Sequence, residues 1–159
     1  MDLKSSFHQE LTARQGPSAG SIDAIEIAAD RGTVRCELLA VDSIGCAFRL
    51  LEVSSDALRG LGIDQLKTIG ESLAIRLNYL LEPIRPIEID KDACIIQLRS
   101  MPPAKGDQGT SYYELIVQAG RIGLQRFNKQ PSNTRQSVPA NVTREVLARL
   151  ASDMHDAVP

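Results

Sequence analysis

Tryptophan is missing from this sequence and aromatic residues of every kind make up only 4% of it, so a surface that stacks nucleobases on aromatic rings is poorly provided for. There are two histidines, His8 and His155, each close to an end of the chain. Fraying ends hold catalytic geometry badly, and without a well-placed imidazole a serine or cysteine nucleophile lacks its usual base. The three cysteines, Cys36, Cys46 and Cys94, are odd in number, form no CxxC pair and each sit inside an apolar strand pattern; they read as small buried hydrophobes. No apolar run approaches the ~20 residues that a membrane-crossing helix needs, and Met1-Asp2-Leu3-Lys4-Ser5-Ser6 has no signal-peptide core. A cytoplasmic location with no membrane contact is expected. A net charge of −2 gives no overall pull toward nucleic acid, which is not expected as a partner.

At 159 residues and 43% hydrophobic content, the chain is long enough to bury one core. Residues 1–20 read as a flexible lead-in, with a short helix over Leu3–Arg14 and a Gly/Pro/Ser break from Gln15 to Gly20. Residues 21–159 then read as one α+β domain. Its first half is an antiparallel three-stranded meander. Ile25, Ile27 and Ala29 alternate, a two-residue turn falls at Arg31-Gly32, and Val34, Cys36, Leu38 and Ala40 alternate in return. Pairing Asp30 with Thr33 puts Ile27 opposite Cys36 and Ile25 opposite Leu38, so the apolar sets share a face. A three-residue loop closed by Gly45 sets Asp42 opposite Cys46, Ala40 opposite Phe48 and Leu38 opposite Leu50. That register separates Cys36 from Cys46 by about 20 Å along the strands, too far for a disulfide.

From Asp64, the expected N-cap, the period becomes helical. Leu66, Ile69, Gly70, Leu73, Leu77 and Leu80 form one stripe, and the long amphipathic helix they define is expected to cover the meander and stop before Glu82-Pro83. Gly70 on that stripe invites close backbone approach. Ile87 and Ile89 pair with Ile96 and Cys94 around Asp90–Ala93. After a Pro/Gly-rich loop at 102–110, Tyr113, Leu115 and Val117 pair with the strand that follows a Gly120-Arg121 turn. A polar stretch reaches Pro139. A C-terminal helix from about Asn141 repeats Val142, Val146, Leu150 and Met154 every fourth residue.

Few residues in this frame carry chemistry. Gly60-Leu61-Gly62 opens like a dinucleotide-binding GxGxxG, but Gln65 takes the place of its third glycine and the preceding strand is antiparallel, so a plain entry into the helix is expected. Glu88, Asp90 and Asp92 surround Lys91 without the glycine and distal glutamate of a calcium loop, which suits a solvated turn. Asn141-Val142-Thr143 fits helix capping. No catalytic residue, cofactor site or metal site is assigned.

Two surfaces remain. The meander's second face carries Leu39, Val41, Leu51 and Val53 beside Arg35, Glu37 and Arg49, and four aliphatics on a solvated face call for a cover: a second copy, another protein or the chain's own helices. The other surface is basic. Residues 121–149 hold Arg121, Arg126, Lys129, Arg135, Arg144 and Arg149 against Glu145 alone, a local charge of +5, while residues 1–120 stand at −5. Arg121, Arg126, Lys129 and Arg135 are candidate contacts for an anion or an acidic partner.

The order helix, three-stranded meander, helix, further strands, C-terminal helix, together with the mild acidity, resembles the bacterial type III secretion chaperones, with Tyr112–Phe127 as an additional hairpin. The resemblance implies a sheet-mediated homodimer that holds an extended client segment without a cofactor. The expected function is therefore a non-enzymatic, homodimeric, chaperone-like protein-interaction module. The alternative is a ligand-binding or catalytic domain with a pocket near Arg99, Tyr113 and Arg126, between the 102–110 loop and the basic segment.

Overall fold

The computed structural model describes residues 2–15, 23–107 and 109–159. One antiparallel sheet runs through it, with three helices: α1 (Leu3–Ala13), α2 (Ile63–Arg76) and α3 (Arg144–Asp156). The strands are β1 (Asp23–Ala28), β2 (Thr33–Val41), β3 (Gly45–Ser54), β4 (Ile84–Asp90), β5 (Ile95–Ser100), β6 (Ala104–Gly106), β7 (Gly109–Gln118), β8 (Arg121–Lys129), β9 (Gln136–Val138) and β10 (Ala140–Thr143). Across the sheet the order is β1-β2-β3-β8-β7-β5-β4. The α+β class and the meander are as the alternation predicts. No helix among the described residues is long and apolar enough to cross a membrane.

The middle helix does not cover the meander. It packs chiefly on β4, β5 and β7, while α3 lies on β3 and β2 and α1 lies on β1 and α3. The stripe was read correctly, since Leu66, Gly70, Leu73, Leu77 and Leu80 are buried. A β-carbon on Gly70 would stand 3.1 Å from Leu98 Cδ1, the close approach that glycine permits. What the stripe lacks is any mark of which strands it meets. The helix begins one residue past Gly62, whose N–H donates to the Gln65 side chain at 3.0 Å, so Asp64 lies in the first turn and is not the cap. The Gly60–Gly62 segment is thus the helix entry.

Residues expected as a flexible lead-in supply α1, capped by Asp2, whose carboxylate accepts from Ser5 N–H at 2.7 Å. Its Phe7 and Leu11 are completely buried in the common core. Of the expected break, Gly16–Gly20 lie outside the described residues. Thr143 caps α3, accepting from Val146 N–H at 3.1 Å. Val142 belongs to β10, which pairs with β3 through Val142↔Cys46. The two helical layers meet where Tyr79 donates to Asp153 at 2.7 Å beneath the Arg149 guanidinium.

Three hairpins turn one residue away from the expected place: at Asp30-Arg31, at Lys91–Cys94 and at Ala119-Gly120, where Gly120 takes φ 89°. Pairs next to these turns therefore move by two and keep their faces, as in Ile25↔Cys36, Ile89↔Ile96 and Val117↔Ile122, while a bulge at Ile87 shifts the register of β4 before it. The β2–β3 hairpin behaves differently. Asp42 N–H donates to Gly45 O at 2.9 Å, closing a two-residue loop instead of three. The Asp42 carboxylate accepts from Ile44 and Gly45 N–H groups, which favours its charged form and holds its pKa below the usual carboxylate value. The register becomes Cys36↔Leu51 and Val34↔Val53, with Arg49 and Leu39 as single-residue bulges on opposite strands.

Those bulges sit where β3 changes partner. It pairs with β8 from Leu51 to Ser54 and with β10 from Gly45 to Phe48. Between the diverging strands, β9 continues on β8 and β10 on β3. The polar arm expected over 128–139 is in part stitched into the sheet.

Candidate functional site

The register change removes the predicted interface. Val41, Leu51 and Val53 are 4%, 0% and 0% exposed and face the helices together with Val34, Cys36 and Phe48; Leu39 alone stays half-buried on the open face. A one-residue slip exchanges the faces. Cys36 and Cys46 are free and buried. Loss of hydration pushes the Cys36 thiol far above its usual range and the Cys46 thiol up to about 11, which leaves both poorly nucleophilic.

The open face is instead ionic. Near the meander, Glu37 accepts from Arg35 at 2.8 Å and from Arg49 at 3.0 Å. Farther along, Glu52 takes Arg121 at 2.9 Å. In the distal half the central group is Glu114 on β7, only 4% exposed. It accepts from Arg135 at 2.8 Å and from Gln97, and Arg99 Nη2 lies 3.6 Å away. Arg135 also stacks on Phe127 at 4.0 Å and Arg99 on Tyr112 at 4.3 Å. The Glu114 carboxylate and the neighbouring Tyr112 hydroxyl bind Arg135 in its charged form, raising its pKa further.

Of the four predicted anion contacts, three are neutralised within the chain. Arg121 is held by Glu52, Arg135 by Glu114, and Arg126 by Glu82 at 3.2 Å on the helix side of the sheet. Among the described residues, Lys129 donates to the Asn133 carbonyl, at 3.3 Å. The predicted trio is split as well. Arg126 stacks on Tyr113 at 4.6 Å, and Tyr113 belongs to the core while its neighbour Tyr112 turns to the other face with Arg99, as alternation along a strand requires.

Arg99 instead lines a cleft of about 630 Å³ with Lys105, Lys129 and Tyr112, walled by Met101 and Pro131. Its Nε is buried and makes no hydrogen bond among the described residues. A larger concavity of about 820 Å³ at the β3–β10 end is lined by neutral residues and Asp42, whose carboxylate its own turn uses. Asp90 serves its hairpin, accepting from Ala93 N–H at 3.0 Å. Among the described residues, no three His, Cys, Asp or Glu side chains gather in metal-binding geometry.

His155 departs from the expectation of a frayed end. It is 5% exposed, with Nε2 2.9 Å from Asp30 and 3.2 Å from Arg31 N, and Nδ1 3.2 Å from Asp156. Arg31 donates to the Asp156 and Val158 carbonyls, both at 3.0 Å. The group latches the end of α3 to the first turn of the sheet. Contacts over more than a hundred residues of sequence leave no local signal.

At the far edge, β4 has no outer neighbour among the described residues. The exposed large hydrophobics of the described residues are Ile44, Ile75, Leu81, Ile87, Ile89 and Met101. All but Ile44 belong to α2, β4, the link between them, or the end of β5, where Met101 N–H donates to Pro83 O at 2.8 Å. Compared with protein-family models, curated proteins and solved structures, the chain matches none.

Proposed function

We propose that this chain is a non-enzymatic protein-interaction module that works as a homodimer, its two subunits meeting along the β4 edge. The observation that carries this reading is the exposure of aliphatic side chains on the edge strand and the elements leading into it: Ile87 and Ile89 on β4, Ile75 on α2 and Leu81 in the link between them, the last two at 77% and 88% exposure. Sheet edges are ordinarily blunted by charge and proline, and β4 carries Arg85, Pro86, Glu88 and Asp90. Those charges also suit self-pairing. A two-fold axis between Ile87 and Glu88 sets Arg85 of each copy opposite Asp90 of the other, an isologous arrangement. The element order that resembles the type III secretion chaperones supports the same reading, and a chaperone-like hold on an extended client is its natural extension.

Light scattering tests it. The wild-type chain is expected at dimer mass, and Ile87→Arg combined with Ile89→Arg at monomer mass with unchanged circular dichroism. A wild-type monomer at every accessible concentration, or a double variant that stays dimeric, overturns the proposal.

A further inference from the structure

We infer that the cleft bounded by the end of β5, the β6–β7 hairpin and the turn after β8 binds a small organic oxyanion, a carboxylate or phosphate monoester carried on a flat apolar body. Three observations converge there. The cleft of about 630 Å³ has Arg99, Lys105 and Lys129 in its lining and no acidic residue, and its volume falls within the usual range for small-molecule sites. Glu114, the carboxylate that Arg99 approaches, also accepts from Arg135 and Gln97. Arg99 is left with a 3.6 Å approach to Glu114, and its Nε makes no hydrogen bond among the described residues.

An arginine in that state is prepared for a ligand. Stacking on Tyr112 at 4.3 Å fixes the guanidinium plane, so little side-chain freedom remains to be lost when its donors close on an oxyanion. The approach of Arg99 to Glu114 is long, and an incoming oxyanion supplies a closer partner for the guanidinium. Lys129 is steadied by the Asn133 carbonyl and adds charge from the opposite rim. The apolar part of the ligand has Met101, Pro103 and Pro131 to lie against. An acid with no body would leave those walls wet, and a neutral body would leave Arg99 unsatisfied.

The test is titration of the full ¹⁵N-labelled chain with 1-naphthoate and with 1-naphthyl phosphate, against 1-naphthol and inorganic phosphate. The Arg99 Nε–H signal and the amides of Gly106, Gly109, Thr110 and Lys129 are expected to move with the two naphthyl anions, the tighter of which identifies the preferred headgroup. Naphthol and phosphate should bind about tenfold more weakly or not at all. Lys105→Gln with Lys129→Gln, both on the surface, should weaken the anions about tenfold, and added salt should weaken them in the wild type. The inference is overturned if neither anion moves these signals at millimolar concentration, if naphthol or phosphate binds as tightly, or if the double lysine variant binds equally well.

Discussion

Glu37 and Glu114 each lie between two arginines on the open face of the sheet, one in the meander and one in the distal half. Around Glu37 both arginines donate directly, at 2.8 and 3.0 Å, from guanidinium groups in contact with solvent. Around Glu114 the carboxylate is deeper, the arginines lie on aromatic rings, and one of them keeps an unsatisfied donor. The first set is complete and needs nothing further. The second is incomplete on the side facing a cleft. The same division holds for apolar surface: the meander half sends its aliphatics under α1 and α3, whereas the half beyond β8 leaves five of them in water. Complete regions serve as scaffold, and incomplete ones are where binding has something to gain.

Several changes would break or sharpen this contrast. The largest effect is expected in the meander core. Leu51→Ala should cost about 2–5 kcal/mol in urea unfolding, as for other fully buried leucines, while Leu39→Ala on the open face should cost less than about 1 kcal/mol. Equal losses at the two sites would show that the β2–β3 register is not the one described.

The next effect separates the two carboxylates. Glu114→Ala removes a carboxylate only 4% exposed that accepts from Arg135 and Gln97, and should cost about 1–3 kcal/mol; Glu37→Ala, at a carboxylate 14% exposed, should cost less than about 1 kcal/mol. The comparison fails if Glu37→Ala proves as damaging as Glu114→Ala.

The smallest effect is in pH dependence. The Arg35 hydrogen bond, reinforced by Arg49, lowers the folded-state pKa of Glu37 from the ordinary 4.5, and the turn amides lower that of Asp42 from 3.8. A depressed carboxylate stabilises the fold above its unfolded pKa and loses that contribution as pH falls through the folded value. Thermal stability should therefore drop progressively below pH about 4.5, and the drop should be shallower in Glu37→Gln and Asp42→Asn. A variant profile that parallels the wild type would show that these bonds contribute nothing in solution.

Much of the architecture was legible along the chain because it rests on local periodicity. Alternation marked the longer strands and the stripe from Leu66 to Leu80 marked α2, and three hairpins were placed within one residue. Where the turn moved and the strands then slid by two, side chains kept their faces, except in β4 before its bulge at Ile87. The fourth hairpin shows the limit. Asp42-Ser43-Ile44-Gly45 suits either a two- or a three-residue loop, and the choice decided whether Val41, Leu51 and Val53 meet water or the core. The compensating bulges at Arg49 and Leu39 occur where β3 exchanges β8 for β10, strands that lie more than seventy residues onward.

The candidate site was less legible. Lys129 and part of the 102–110 loop do line the cleft, but Tyr113 and Arg126, expected beside Arg99, lie on the other side of the sheet. Glu114 gave no sign of its importance, since only the β5–β7 register sets it opposite Arg99. The three-stranded meander with which the chain begins its sheet is thus a property of the sequence alone, written in hydrophobic period and turn chemistry. Which face of that meander is buried, which helix covers it, and which carboxylate each arginine meets were decided by tertiary structure, because strand register and ion pairing are set by partners that local sequence does not name.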